Sequence, residues 1–362
     1  MNLNQKILWA RCAVVLASIG LWQFCSGTGV IDPFFFGKPS SILLDLWSMI
    51  IDFSIFYHVW ITFAEAMAGF FFLPLYVAHG QNMFQEQGLD VTIDSAQGGP
   101  LAMQALISGQ VQFCATGHGQ VANMWAKGKS TKIVNQMQDK CTFYLVGRPE
   151  INHIGDLSGK TIGCTKIGAE TYGVGRYLVA GAGLDPEKDI TMTGVGGMST
   201  MASALENNRV QAVVSWQPLT SRLINQGKGN LLARLNTTPG SYTYFNSPSY
   251  SFSVIQVTDS FLAENPKTVQ QFVNAMVKAE KWIASSSMVA VAKAVAPYFP
   301  GMDLKTIKES VIEDSGAFTQ TGLVTKKGHD TAVTVFREAK ILDRDVPFEA
   351  IVDNSFTQNA LH

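Results

Sequence analysis

Two stretches of this chain repeat one another at a shift of 99 residues, or 98 at their glycine pairs. The first reads Gly98-Gly99, then Ala105-Leu106, then Val111-Gln112-Phe113. The second reads Gly196-Gly197, then Ala204-Leu205, then Val210-Gln211-Ala212-Val213-Val214. Each is a glycine turn, a short helix and a β-branched run, and each follows an alternating stretch, Leu89 to Ile93 or Ile190 to Val195. Alternation predicts a half-buried strand, and a glycine turn ahead of a periodic apolar run predicts a helix. Strand–helix–strand units pair in parallel through right-handed crossovers. The repeat therefore predicts two similar α/β lobes. Thr171 to Ala182 reads as a helix closed by Gly183, and Asn265-Pro266 opens another that runs through Ile283. Cys141 to Gly147 and Tyr250 to Val257 are strand candidates that would carry the chain between the lobes.

The text before residue 70 is of another kind. The first 72 residues hold fifteen of the aromatic residues and only seven charges. Residues 7 to 25, ILWARCAVVLASIGLWQFC, are long enough to cross a bilayer as a helix. Lys6 and Arg11 favour a cytoplasmic N-terminus. Trp22-Gln23-Phe24-Cys25 is no signal-peptidase site, which calls for small residues. A second apolar stretch, Ile55 to Ala78, carries His58, Glu65 and Pro74, and intramembrane ionisable groups are costly. One retained membrane helix is therefore expected, over about 7–25. With 27 Lys+Arg against 28 Asp+Glu, the chain lacks the basic surplus that nucleic acid requires.

The residues offer no covalent chemistry. There is no GxSxG, HExxH or P-loop, and Cys12, Cys25, Cys114, Cys141 and Cys164 show no metal spacing. No metal site and no cofactor is implied. What remains is a set of glycine turns at strand ends feeding helix N-termini, where exposed N–H groups and the helix dipole favour an anion. The candidates are Gly98 and Gly99, Gly117 and His118, and the turn Gly168-Ala169-Glu170-Thr171. Trp216 and Gln217 follow the strand Val210 to Ser215. Ligands in open α/β sheets sit beyond such strand ends. His118 reads either as a loop residue or as a donor lining a cleft, and Trp216 as core or as a cleft wall. Glu170 reads either as a solvent-facing first-turn residue or as the partner of an ammonium on a zwitterionic ligand.

Residues 72 to about 345 resemble the substrate-binding proteins of the nitrate/taurine/aliphatic-sulfonate ABC importers, whose domain is shared with the thiamine-pyrimidine synthases. The resemblance rests on PLYVAHGQNMFQEQGLDV, ALISGQVQF, IGDLSGKTIGC, GAGLDPEKDI and SFLAENPKTVQQFVNAMVKAEKWI. It implies an α/β, two-lobed periplasmic-binding-protein fold (type II) with the ligand held in the cleft, and it places Gly98, Gly99, His118, the Gly168–Thr171 turn and Trp216 at ligand-contact positions. Residues 1 to about 70 resemble the start of the permease subunit of the same importers, through LWQFCSGTGVIDPFFFGKPSSIL and TFAEAMAGF. That text stands where the family has its first strand, so the strand is expected to be missing, with Phe70 to Leu73 as a partial substitute. Gln112 and Gln211 replace the usual Asp, and Asn82 the usual Gly.

The expected organisation is a permease-like segment at 1–70, lobe one at 71–145 and 250–345, lobe two at 146–249, and a tail at 346–362. The expected function is a membrane-anchored, extracytoplasmic (periplasmic) solute-binding component of an ABC importer. It would take a small anion or zwitterion such as an aliphatic sulfonate, taurine or nitrate, act without catalysis, and partner a permease. A thiamine-pyrimidine synthase-like enzyme and a non-functional permease/binding-protein fusion are the alternatives.

Overall fold

The computed structural model describes Thr28, residues 69–96 and residues 99–362. The expected membrane helix at 7–25, the permease-like text before residue 69 and Gly98 lie outside the described residues. Among the described residues no helix is long and apolar enough to cross a membrane. The chain divides into two units, Met1–Thr62 and Phe63–His362, and the architecture below belongs to the second.

That unit opens on a 3-10 turn, Phe70–Phe72, which runs into α1 (Leu73–Gly80). The expected substitute strand is therefore a helical turn. Pro74 accounts for part of this, because proline fits the first turn of a helix, where its missing N–H would be unpaired anyway. Leu89 to Ile93 is extended and alternates as expected, with Leu89, Val91 and Ile93 half-buried and Asp90, Thr92 and Asp94 exposed. It is nevertheless no strand, because no ladder partner lies beside it among the described residues. The Val91 carbonyl instead takes the His79 ring, at 3.0 Å.

The chain continues through α2 (Gly99–Ile107), β1 (Cys114–Gly117), α3 (His118–Ala126) and β2 (Thr131–Gln136). Then come β3 (Tyr144–Gly147), β4 (Lys160–Cys164), α4 (Glu170–Gly181), β5 (Ile190–Gly194), α5 (Met198–Glu206), β6 (Ala212–Ser215) and β7 (Asn230–Arg234). The last part holds β8 (Ser253–Thr258), α6 (Pro266–Ser285), α7 (Leu304–Asp314), α8 (Lys326–Glu338) and α9 (Ser355–Leu361).

Two sheets result. Lobe two has five strands in the order β5-β4-β6-β3-β7. There β4 runs parallel to β5 and β6, and β3 antiparallel to β6 and β7. The second copy of the repeat thus builds the parallel unit expected of it. Lobe one has three strands in the order β1-β8-β2, and β8 runs antiparallel to both neighbours. Among the described residues the parallel pair expected of the first copy does not form, because no strand lies beside Leu89 to Ile93. β1 is left as an edge strand among the described residues.

One buried cluster lies in lobe one, and the other runs through lobe two and on into lobe one at Val121, Ile133 and Phe336. In lobe one, Val269, Phe272, Val273, Met276, Val277 and Ile283 form one stripe of α6 against α1 and the sheet. In lobe two the cluster runs through Leu145, Ile162, Val174, Met201, Val213 and Leu223. The two chain crossings between lobes are hydrogen-bonded to each other, Tyr250 N to Asp139 O at 2.8 Å and Phe252 N to Gln138 O at 3.1 Å. Residues 346–362, expected as a tail, are docked on lobe one. Thr357 Oγ1 in α9 donates to Val134 O at 2.7 Å, and Val352 bridges Ile133.

Candidate functional site

β1 ends at Gly117, which is the N-cap of α3. Gln120, three residues on, turns back so that its Oε1 accepts from Gly117 N at 3.4 Å. This is the side-chain half of a capping box. Its Nε2 is buried and has no hydrogen-bond partner. Gly99, at the start of α2, lies directly against this amide, so that a Cβ there would collide with it.

α4 of lobe two begins opposite. Ala169 is its N-cap and Glu170 its first residue. Glu170 is not solvent-facing: it is 5% exposed. Its carboxylate lies against the end of β1, where a Cβ on Gly117 would land on Oε2. Only glycine at 117 permits this approach of the two lobes. Oε1 accepts from the Tyr250 hydroxyl at 2.7 Å, and Oε2 has no partner. Burial pushes the Glu170 carboxyl up to about 7. The Tyr250 hydroxyl and the N–H groups of Gln120 and Gly119 at the start of α3 pull the other way.

An aromatic wall continues from Tyr250. Its ring lies 6.0 Å from that of Phe252, which meets Phe143 edge-on at 4.7 Å, and Phe143 lies 6.1 Å from Trp216. Trp216 is 7% exposed, and its Nε1 is buried without a partner. Three polar atoms of these residues are buried without a hydrogen-bond partner: a carboxylate oxygen of Glu170, an amide N–H donor of Gln120 and, at the far end of the aromatic wall, the indole N–H of Trp216. No lysine or arginine is among these residues.

The other expected site residues are placed as follows. The Thr171 hydroxyl accepts from Thr165 N at 3.0 Å and meets Thr165 Oγ1 at 2.8 Å, which closes the loop containing Gly168. Gln217 Oε1 accepts from Ser221 N at 3.3 Å. The His118 ring is fully buried and is engaged by two other side chains. Its Nδ1 meets Ser251 Oγ at 2.8 Å and its Nε2 meets His329 Nδ1 at 3.0 Å. His329 Nε2 faces the Val346 carbonyl at 2.8 Å and so must carry the proton there. That fixes the chain of donors: His329 to Val346, His118 to His329, Ser251 to His118. Both rings are neutral, and burial lowers both pKa values. Gly98 lies outside the described residues. The sequence reading missed Gln120 and Tyr250 as neighbours of Glu170, and Phe252 and Phe143 as the rings that continue from Tyr250. The available signal was Gln120 at the third helical position after a glycine N-cap.

Comparison with known proteins places these features in a family. The NMT1/THI5-like family profile matches residues 70–287. YtlA of Bacillus subtilis, provisionally named a binding protein, is 24% identical over 82% of this chain and 88% of its own length. A solved structure from Bordetella bronchiseptica RB50 is 26% identical, covers 80% of this chain and 92% of its own, and superposes with a TM-score of 0.73. The alkanesulfonate-binding protein SsuA of Xanthomonas axonopodis pv. citri, bound to MOPS, shares the fold at 17% identity. It covers 78% of this chain and 95% of its own, with a TM-score of 0.65. The desulfurization enzyme DszB shares it too, at 15% identity over 80% of this chain and 95% of its own, TM-score 0.56. The fold is thus the α/β periplasmic-binding-protein type, and the chain belongs to the NMT1/THI5-like family.

Proposed function

We propose that this chain is the extracytoplasmic solute-binding component of an ABC-type importer, anchored by its apolar stretch 7–25, which hands its ligand to a permease. Its ligand is a small zwitterion with an ammonium or similar N–H group, of which an aminosulfonate such as taurine is the type. One observation carries the ligand class: Glu170 holds a buried carboxylate at the junction of the lobes that meets only the neutral donors Tyr250 Oη and the Gly119 and Gln120 N–H groups, with no cation among them. A buried carboxylate without a counter-charge is costly, and a ligand cation with N–H donors relieves that cost. Nitrate or a plain alkyl sulfonate would bring a second negative charge beside it. The apolar part of the ligand would lie along the aromatic wall, and the Trp216 N–H at the far end of that wall would be a donor for its acid group. Family membership and the name of YtlA support the binding role, and the name of SsuA supports the sulfonate class.

Thermal shift on the full chain with taurine, a longer aminoalkanesulfonate, an alkanesulfonate and nitrate tests this. A ligand of the folded state at 100 times its dissociation constant stabilises by ~2.7 kcal/mol. The expected result is a shift with the amino-bearing compounds only. A shift with nitrate or the plain sulfonate alone would replace the zwitterion with a simple anion.

A further inference from the structure

The turn Phe70–Phe72 sends its three rings to different places, as a helix with three residues per turn must. Phe70 stacks on Phe299 with ring centroids 4.2 Å apart, inside the core of lobe one. Phe72 packs against the same core. Phe71 does the opposite and packs against the other cluster. Its ring meets Trp216 at 6.0 Å, Phe143 at 6.1 Å and Phe252 at 6.3 Å, edge-to-face in each case. It also folds back over Gly69, where any Cβ would strike the ring. Two phenylalanines therefore fasten the turn to lobe one, and the middle one is laid across the aromatic wall of the candidate site. Phe143, Trp216 and Phe252 are buried, while Phe71 is only half-buried.

The wall is continuous from Glu170 through Tyr250, Phe252 and Phe143 to Trp216. We infer that Phe71 is a specificity-determining residue that ends the apolar part of the binding site and so sets how long a ligand held at Glu170 can be. This rests on the proposed role of Glu170 as the head-group partner. The ring is supplied by the turn at the residues expected to substitute in part for the family's first strand.

The test is calorimetry with a series of ω-aminoalkanesulfonates of increasing chain length. It uses the full chain, Phe71→Ala, Phe71→Leu and Glu170→Gln. The wild type should favour short members. Phe71→Ala should move the optimum to longer ones, each accommodated methylene gaining about fourfold in affinity. Phe71→Leu keeps an apolar anchor for the turn and should move the optimum less. Glu170→Gln should weaken every length alike and leave the optimum in place. If Glu170→Gln weakens the series but the three length profiles at position 71 coincide, the head-group reading stands and the inference about Phe71 is overturned. A uniform loss across all lengths in both Phe71 variants would make the residue purely structural and overturn it as well. If no member binds any of the proteins, the reading of Glu170 fails and takes the inference with it.

Discussion

In the proposed site, Glu170 owes its chemistry to where it is buried. As the first residue of a helix it would ordinarily sit in water and favour the helix dipole. Here the approach of Gly117 from the other lobe removes that water, and the carboxyl is raised to about 7. A ligand ammonium needs the ionised form. Below about pH 7 the closed site holds a proton that binding must expel, and above it the site is ready. Affinity for an amino-bearing ligand should therefore fall by up to about tenfold per pH unit below 7 and level off above it. Calorimetry between pH 5 and 8 reads this. Glu170→Gln should show a flat profile, and a flat wild-type profile would remove the proton from the account. The turn Gly168–Thr171 was legible in the sequence as a helix start. The burial of Glu170 was not, because it depends on Gly117, 53 positions away in the chain and in the other lobe. His118 was likewise readable only as a histidine after a strand. Its partners, Ser251 and His329, come from two later elements.

At the scale of elements the two copies of the repeat had the same sequence signal and met different neighbours. Ile190 to Gly194 became β5 because β4 lies beside it in parallel register from Lys160↔Ile190 to Cys164↔Gly194. Leu89 to Ile93 kept the alternation and the extended path but found no partner. Periodicity specifies which face is buried, whereas a strand also needs a ladder, and among the described residues none lies beside the first copy, where Phe70–Phe72 is a helical turn. The start of β1 shifted for a related reason. Its pairing with β8 begins at Cys114↔Gln256, so the run Val111 to Phe113 lies before it. The long helices were legible to within a few residues, since α6 carries both a proline start and a full apolar stripe. Sheet size should appear in local stability. Amides of β1, at the edge of a three-stranded sheet, should exchange faster than those of β6, flanked on both sides in a five-stranded one. Hydrogen exchange followed by mass spectrometry checks this. Equal protection of β1 and β6 would mean that the edge is covered.

Across the whole molecule, several buried ionisable groups make stability depend on pH. Glu280 in α6 is 1% exposed, with both oxygens unpartnered, and it shares the space beneath Gly322 with the Asn135 amide. Burial pushes its carboxyl well above the usual range. Asp314, at the end of α7, accepts from Tyr144 Oη and from Asn236 Nδ2, each at 3.0 Å, and is raised to about 7, mainly by burial. For a carboxyl raised in the folded state, the stability contribution is complete below its ordinary pKa near 4 and is lost as pH rises through the folded value. The loss is about 1.4 kcal/mol per group for each pH unit. His118 and His329, with lowered values, act in the opposite sense: their contribution is present above about pH 6.5 and lost below it. The clean prediction is therefore a difference between two proteins. Glu280→Gln, which keeps the shape of the neutral acid, should match the wild type at pH 4.5 and exceed it in melting temperature at pH 7.5. A variant less stable than the wild type at pH 7.5 would show that Glu280 is held as a charged partner.

The proposed function turns on a buried carboxylate, Glu170, as the charged group of the site. Its most direct test is a calorimetric titration of the full chain and of Glu170→Gln, each with taurine and with ethanesulfonate at pH 7.5. The predicted result is that the wild type binds taurine. The substitution should weaken that binding by ~1–3 kcal/mol through the lost charged hydrogen bond, and ethanesulfonate should bind the variant no worse than the wild type. Equal loss of both ligands, or tighter binding of taurine by Glu170→Gln, would contradict it.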